Sequence, residues 1–457
     1  MASSFFPYIG AFLWVSLFLA IGTLLRAKIK AFQKLLVPAS LLGGLVGFVF
    51  MNLGLIGIPT PEGWVDIPTG TFGVMTFHLF AFSFVGVGLM KGSKGTTSKT
   101  LLRGGLWMAL MYSFCWSLQG LIGKGVFELW HTVSSVDFNT CQGFLIGTGF
   151  AQGPGQAQSY AAAWETNYGV MNSVSVGLAA AAMGFVVAIV LGVPTAYVGI
   201  KKGWIAEPIK GSLPQYFLRG TMDADNQPAC AFSTTHPSTI DNFTFHIAIM
   251  GILYACAYAF GLFWTVSMPK LITALGFGLL YSWGMVFAMT FRVIMTKINC
   301  FHMIDQDSVR HIINSAIDYM ICSVFLAINV SELSNVVVPF FVTIVLAALA
   351  TFAVIMWFAR RFENFNFERG MAIFGCYTGT VATGMLLLRI VDPDFKSPAA
   401  VELGVMNLII LATAAPLTYG YPLIPGISGY MTMFMIGYVV LTPFIMYALK
   451  MIRKPSW

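Results

Sequence analysis

Two stretches of the chain set glycine beside neutral hydrogen-bonding side chains within otherwise apolar sequence. The first, 141–164, holds Gly143, Gly147, Thr148, Gly149, Gln152, Gly153, Pro154, Gly155, Gln156, Gln158 and Ser159. The second, 370–390, holds Gly375, Cys376, Tyr377, Thr378, Gly379, Thr380, Thr383 and Gly384. Proline removes a helix N–H and glycine weakens helix, so a break in the backbone is expected in each. Broken backbone at membrane depth is tolerated only where it is buried in protein or lines a wet cavity. There, freed carbonyls coordinate a cation such as Na+, and half-helix N-termini offer N–H groups to a carboxylate. Gln152, Gly153, Gly155, Gln156, Thr378, Gly379, Thr380 and Thr383 are the candidate contacts to a small anionic solute. Thr148, Ser323 and Asp318 are the candidate Na+ ligands. The competing reading is that the small residues only let helices pack closely. Two such segments at matching positions favour binding.

Ionisable residues within apolar runs are functional candidates by default. Asp318 is one; it either ligates a cation or is hydrated or paired with Arg310 or His311. Arg389, five residues past Gly384, either clamps a carboxylate bidentately or snorkels to the membrane surface. His78 reads as a packed, hydrogen-bonded side chain, and Glu402 and Glu165 as surface groups. No His-Glu-x-x-His, Gly-x-Ser-x-Gly or P-loop pattern is present, which argues against an enzyme or an ATP-driven motor in this chain.

The elements that hold these residues follow from composition. Charged residues are 9% of 457 and the apolar set 57%, against ~25% charged in a soluble domain. Apolar runs of spanning length lie at 5–25, 35–55, 71–90, 105–130, 170–200, 243–266, 271–293, 312–330, 336–358, 400–418 and 427–449. The net charge of +7 comes from short basic clusters between these runs, so it points to membrane orientation and not to nucleic acid. Seven scattered cysteines suggest neither a zinc site nor a disulfide framework. If both Gly-rich segments are re-entrant, Arg26, Lys28, Lys30, Lys34, Lys91, Lys94, Lys99, Arg103, Lys396, Lys450, Arg453 and Lys454 are cytoplasmic, together with ten charges from Lys201 through Lys210 to Arg369. Lys124 and Lys270 alone are left outside. If both segments span, those ten move outside, against the positive-inside rule. The expected fold is therefore all-α and polytopic, with eleven spanning helices, the N-terminus outside and the C-terminus in the cytoplasm.

The chain also repeats. Phe138-Asn139-x-x-x-Gly143-x-x-Ile146 recurs 227 residues later as Phe365-Asn366-x-x-x-Gly370-x-x-Ile373, each copy opening a Gly-rich segment. Five spanning helices per repeat, an odd number, make the repeats inverted, as in secondary transporters. The expected organisation is a first repeat over 1–200 and a cytoplasmic connecting loop over 201–242. A second repeat over 243–419 and an additional helix with a basic tail over 420–457 complete it.

These residues resemble the bacterial sodium/glutamate symporter family. Pro38 with Gly43-Gly44-Leu45, Ser323-x-Phe325-Leu326-Ala327, Gly184 with Gly192-x-Pro194, Gly379-x-x-Ala382-Thr383, Trp164 and Tyr168-Gly169 follow its order over roughly 35–415. The resemblance implies Na+-coupled uptake of glutamate or a related amino acid or carboxylate, alternating access around paired re-entrant loops, a homodimer, and a place in the bacterial inner membrane. Na+ is then the coupling ion, with no organic cofactor. Departures fall at the first loop, which reads Gln152-Gly153-Pro154-Gly155, and at Arg389, where the family pattern has a neutral amide. An uncoupled facilitator or channel for small organic solutes is the alternative.

Overall fold

The computed structural model describes residues 2–60, 63–90, 99–134, 136–206, 218–222, 227, 230–269, 275–392 and 397–457. Lys91, Lys94, Lys210, Lys270 and Lys396 lie outside the described residues. The chain is mostly helical. The first half contains α1 (Ala2–Lys28), α2 (Ala39–Asn52), α3 (Thr69–Leu89), α4 (Lys99–Val133), α5 (Phe144–Gln152), α6 (Pro154–Tyr168), α7 (Ser173–Val187) and α8 (Val193–Lys202). The second contains α9 (Asn242–Ser267), α10 (Leu280–Lys297), α11 (Gln306–Leu326), α12 (Val337–Ala359), α13 (Asn366–Tyr377), α14 (Val381–Val391), α15 (Ala399–Thr413) and α16 (Ile424–Ala448).

Among the described residues eight helical stretches are long and apolar enough to cross a membrane, so this is a multi-pass membrane protein. A helix lies in each of the eleven apolar runs, but three are shorter or more polar than the sequence suggested. Helix α2 has 14 residues and α15 has 15, about 21–22 Å at ~1.5 Å per residue against a hydrocarbon core of ~30 Å. Pro38 and the turn after Asn52 bound α2. Beyond it stands a small antiparallel hairpin, β1 (Gly57–Thr60) with β2 (Gly63–Asp66), which the alternation rules did not reveal. Trp14 Nε1 donates to Gly57 O at 2.8 Å and holds the hairpin against α1.

Glycine sets the closest helix contacts. A methyl on Gly22 of α1 or Gly43 of α2 would overlap the other helix's backbone, and one on Gly44 would overlap the Phe325 ring of α11. Helix α3 packs on α10 and α11, α11 on α2, and α4 on α5, α12, α15 and α16.

One buried ion pair corrects the sequence reading. Glu402, expected at the surface, is fully buried on α15 and takes Arg369 of α13 in a bidentate pair, Nε to Oε2 at 2.6 Å and Nη2 to Oε1 at 2.7 Å. Arg369 also donates to Asn364 O and lies over the Phe362 ring. The carboxylate fits because Gly104 of α4 leaves the space that a Cβ would fill. The chain end closes the same region: Trp457 stacks on Trp204 at 4.6 Å and donates to Asn366 Oδ1 at 2.8 Å. The two asparagines of the repeated motif thus do different work, since Asn139 Oδ1 accepts from the Cys141 N–H at 2.9 Å.

Removing one member of a buried pair strands the other charge, at a cost of ~3–5 kcal/mol, whereas an apolar replacement of both is often tolerated. Glu402→Leu should therefore lower the thermal unfolding midpoint sharply, and Arg369→Met added to it should restore most of the loss. A single variant as stable as the parent would show that the pair does not hold α13.

Candidate functional site

Both Gly-rich segments are interrupted helices. The first breaks at Gly153, whose φ of +81° and ψ of −176° separate α5 from α6; this backbone state is essentially glycine-only. Pro154 then occupies the first turn of α6, where its missing N–H costs nothing. The second breaks across Thr378–Thr380, between α13 and α14.

The two breaks touch. A Cβ built on Gly153 would stand 2.9 Å from Thr380 Cγ2 and 3.1 Å from Gly379 O. Gly379 in turn lies against Thr383 Oγ1, and Thr380 and Thr383 hydroxyls are 3.4 Å apart. A methyl on Gly184 of α7 would overlap Thr378 O, which seats the second break on a helix of the first half. From α4, Gln119 Nε2 donates to Tyr377 O at 3.0 Å and to Thr351 Oγ1 of α12 at 2.9 Å. At this junction the C-terminal ends of α5 and α13 leave carbonyls without helical partners, and the N-terminal ends of α6 and α14 leave N–H groups. Partial negative and partial positive helix ends therefore meet at one point.

Buried polar atoms concentrate on the same elements. Thr148 Oγ1, Gln152 Nε2, Gln158 Oε1, Gln119 Oε1 and Trp116 Nε1 have no hydrogen-bond partner among the described residues. Native structures satisfy nearly all such groups, and unpaired ones call for an ion, water or ligand. Around them stands an aromatic wall that sequence reading did not single out. Trp116 and Tyr160 both stack on Tyr421, at 4.7 and 5.7 Å between centroids, and Tyr160 shares a 2.8 Å hydroxyl contact with Tyr281. Gln152 lies against Tyr112, and Gln156 against Tyr281. Gln119 was legible as a lone amide inside an apolar run; the four tyrosines, on four different elements, had no common spacing to reveal them.

The other sequence candidates are placed elsewhere. Gly155 faces the Phe80 ring of α3, which a methyl would overlap, so its lack of a side chain serves helix packing. Arg389 is exposed near the end of α14, roughly 12 Å along the helix from Val381. There it lines a pocket with Arg26 and Arg219, apart from the breaks. Asp318 is exposed on α11 and lies near Ser40 of α2. Arg310 pairs with Asp307 and His311 contacts Cys230. Ser323 is fully buried and donates to Tyr319 O at 2.8 Å. Nearby on α11, Tyr319 contacts Ser16 of α1. Glu165 accepts from the Val174 N–H at 2.9 Å, half-buried, and His78 contacts the Tyr254 hydroxyl.

Residues 6–380 match the sodium/glutamate symporter family, and the chain belongs to it. It is a transporter and not an enzyme, and the family implies coupling to Na+. The match ends at Thr380, at the second break, so α14, α15 and α16 lie beyond it. No curated protein and no solved structure gives a significant match.

The two glycines of the first break should respond differently. Gly153→Ala carries ~1–3 kcal/mol of backbone strain and pushes on Thr380, so folded variant protein should bind solute at least tenfold more weakly. Gly155→Ala should instead lower the unfolding midpoint through Phe80, and Phe80→Ala in the same chain should recover it. Equal loss of binding in both, without the Phe80 rescue, would contradict this division.

Proposed function

We propose that this protein takes up a small organic anion, glutamate or a related amino acid or carboxylate, by Na+ symport, and that the meeting point of the two helix breaks is the transport site. The observation that supports this most strongly is the contact of Gly153 with Gly379 and Thr380. At that point the N-terminal ends of α6 and α14 suit a carboxylate, while the carbonyl ends of α5 and α13 and the Thr148 hydroxyl suit Na+. Gln152, Gln156, Thr378, Thr380 and Thr383 supply neutral hydrogen bonds, and Gly153 and Gly379 the close backbone approach. Arg389, Ser323 and Asp318 have secondary claims: Arg389 as a contact for the anion away from the breaks, Ser323 and Asp318 as a separate cation station on α11.

The access mechanism we propose is alternating exposure of this site by two inverted repeats, 1–200 and 243–419, each with a re-entrant broken segment. Helix partnerships support the pairing of the halves. Under the repeat relation α1–α2 corresponds to α9–α10, α3–α10 to α11–α2, and α4–α5 to α12–α13, and all six contacts are present. The self-corresponding pairs α3–α11 and α4–α12 also pack together. With the N-terminus outside, the basic ends of α1 and α8 and the chain end fall in the cytoplasm of a bacterial cell. Helix α16 is then the addition to the ten-helix plan, and a homodimer is the expected assembly.

Radiolabelled glutamate and dicarboxylate uptake into proteoliposomes tests the reading. A Na+ gradient should drive uptake without ATP. Losing a hydrogen bond to a charged group costs ~1.5–3 kcal/mol, and each 1.4 kcal/mol is a factor of ten. Gln156→Ala or Thr380→Ala should therefore raise the half-saturating solute or Na+ concentration about ten- to hundredfold. Uptake indifferent to Na+ and to both substitutions would overturn the proposal.

A further inference from the structure

A second site lies at the far end of α5 from the break, roughly 13 Å along the helix. Here a cavity of about 400 Å3 is walled by three separate parts of the chain. Asp137, Asn139 and Gln142 come from the turn before α5, Asn172 from the link between α6 and α7, and Glu332 and Asn335 from the turn before α12. Its charged members are the two carboxylates; among the described residues no lysine, arginine or histidine lines it.

Glu332 is held in one position: Ser175 Oγ donates to its Oε2 at 2.5 Å and Asn329 Nδ2 to its Oε1 at 3.1 Å. Gln142 points independently to a ligand. It is 3% exposed, and its Nε2 donates to Met171 O at 2.8 Å. That bond fixes the amide orientation and leaves Oε1 buried with no partner among the described residues. A donor or a cation would satisfy it. The cavity thus offers two carboxylates and a set of amide groups, and neither cysteine nor histidine is among its described lining residues; its one sulfur is the Met171 thioether. That donor set suits a hard cation bound by oxygen alone.

We propose that this cavity binds a hard cation, Na+ or Ca2+, through Glu332, Asp137 and the Gln142 amide oxygen. A cation here joins the start of the first broken segment, through Gln142, to the turn that opens α12, through Glu332. It is thus positioned to stabilise the first segment from the end opposite the transport site.

Thermal unfolding of the purified full-length protein, titrated with NaCl or CaCl2 at ionic strength held constant with choline chloride, tests this. The wild type should be stabilised by at least one of the two ions, and comparison of the titrations identifies which. Glu332→Gln should weaken that effect about tenfold in midpoint concentration, and Asp137→Asn severalfold. Asp137 is exposed, so its variant folds even if Glu332→Gln does not. No stabilisation by either ion, or midpoints unchanged in folded Asp137→Asn protein, would overturn the site. The readout is separate from uptake, so Na+-driven transport with unchanged midpoints would sink this inference and leave the transport reading standing.

Discussion

The backbone at residue 153 stands at φ +81° and ψ −176° with Thr380 and Gly379 immediately beside it. A side chain there is excluded twice, by conformation and by space. From that one constraint the arrangement around it follows. The α5–α6 break can come to rest against the α13–α14 break only because residue 153 is glycine. The second break is seated in turn by Gly184, whose missing Cβ admits the Thr378 carbonyl. Gln119 then takes the Tyr377 carbonyl, one of those the break sets free. Four helix ends with opposite partial charges converge, an arrangement that suits the cation and the anion of the proposed transport.

Supporting structure keeps the two segments in place by different means. Helix α6 is held by close packing: Gly155 on Phe80, Trp164 Nε1 donating to Tyr421 O at 2.8 Å, and the Trp116–Tyr421–Tyr160 stack. Helix α13 is held at its other end by charge, through the buried Arg369–Glu402 pair and the Asn366 contacts to Ser456 and Trp457. Broken helices forgo part of their own hydrogen-bond ladder, so tertiary contacts must hold the halves in register. The Thr148, Gln152 and Gln158 atoms without a partner among the described residues lie outside that support, and the proposed site draws on them.

Much of this was legible in the sequence because the signals were local. Proline and glycine weaken a helix locally, and the break expected around Pro154 in the first Gly-rich segment falls next to it, at Gly153. Hydropathy runs located every long helix among the described residues. What the sequence hid was pairwise. Nothing local to Glu402 announces that Arg369, thirty-three positions earlier, will share its burial, nor that Gly104 will make room for its carboxylate. Arg389 looked like a clamp because it follows a Gly-rich segment, yet its position on α14 takes it away from the break. Gly155 was read as a site glycine, and the sequence could not show that the space its side chain would fill is taken by Phe80, in a different helix. The aromatic wall was invisible for the same reason: Tyr112, Tyr160, Tyr281 and Tyr421 become neighbours only in the fold.

That the two breaks form one site is tested most directly by a cysteine pair at Gln152 and Thr380 in an otherwise cysteine-free chain. A short bifunctional thiol reagent should join them in reconstituted protein and arrest uptake, and Na+ with substrate should slow the reaction. If the pair never crosslinks while the variant still folds and transports, the breaks do not share a site and the account is wrong.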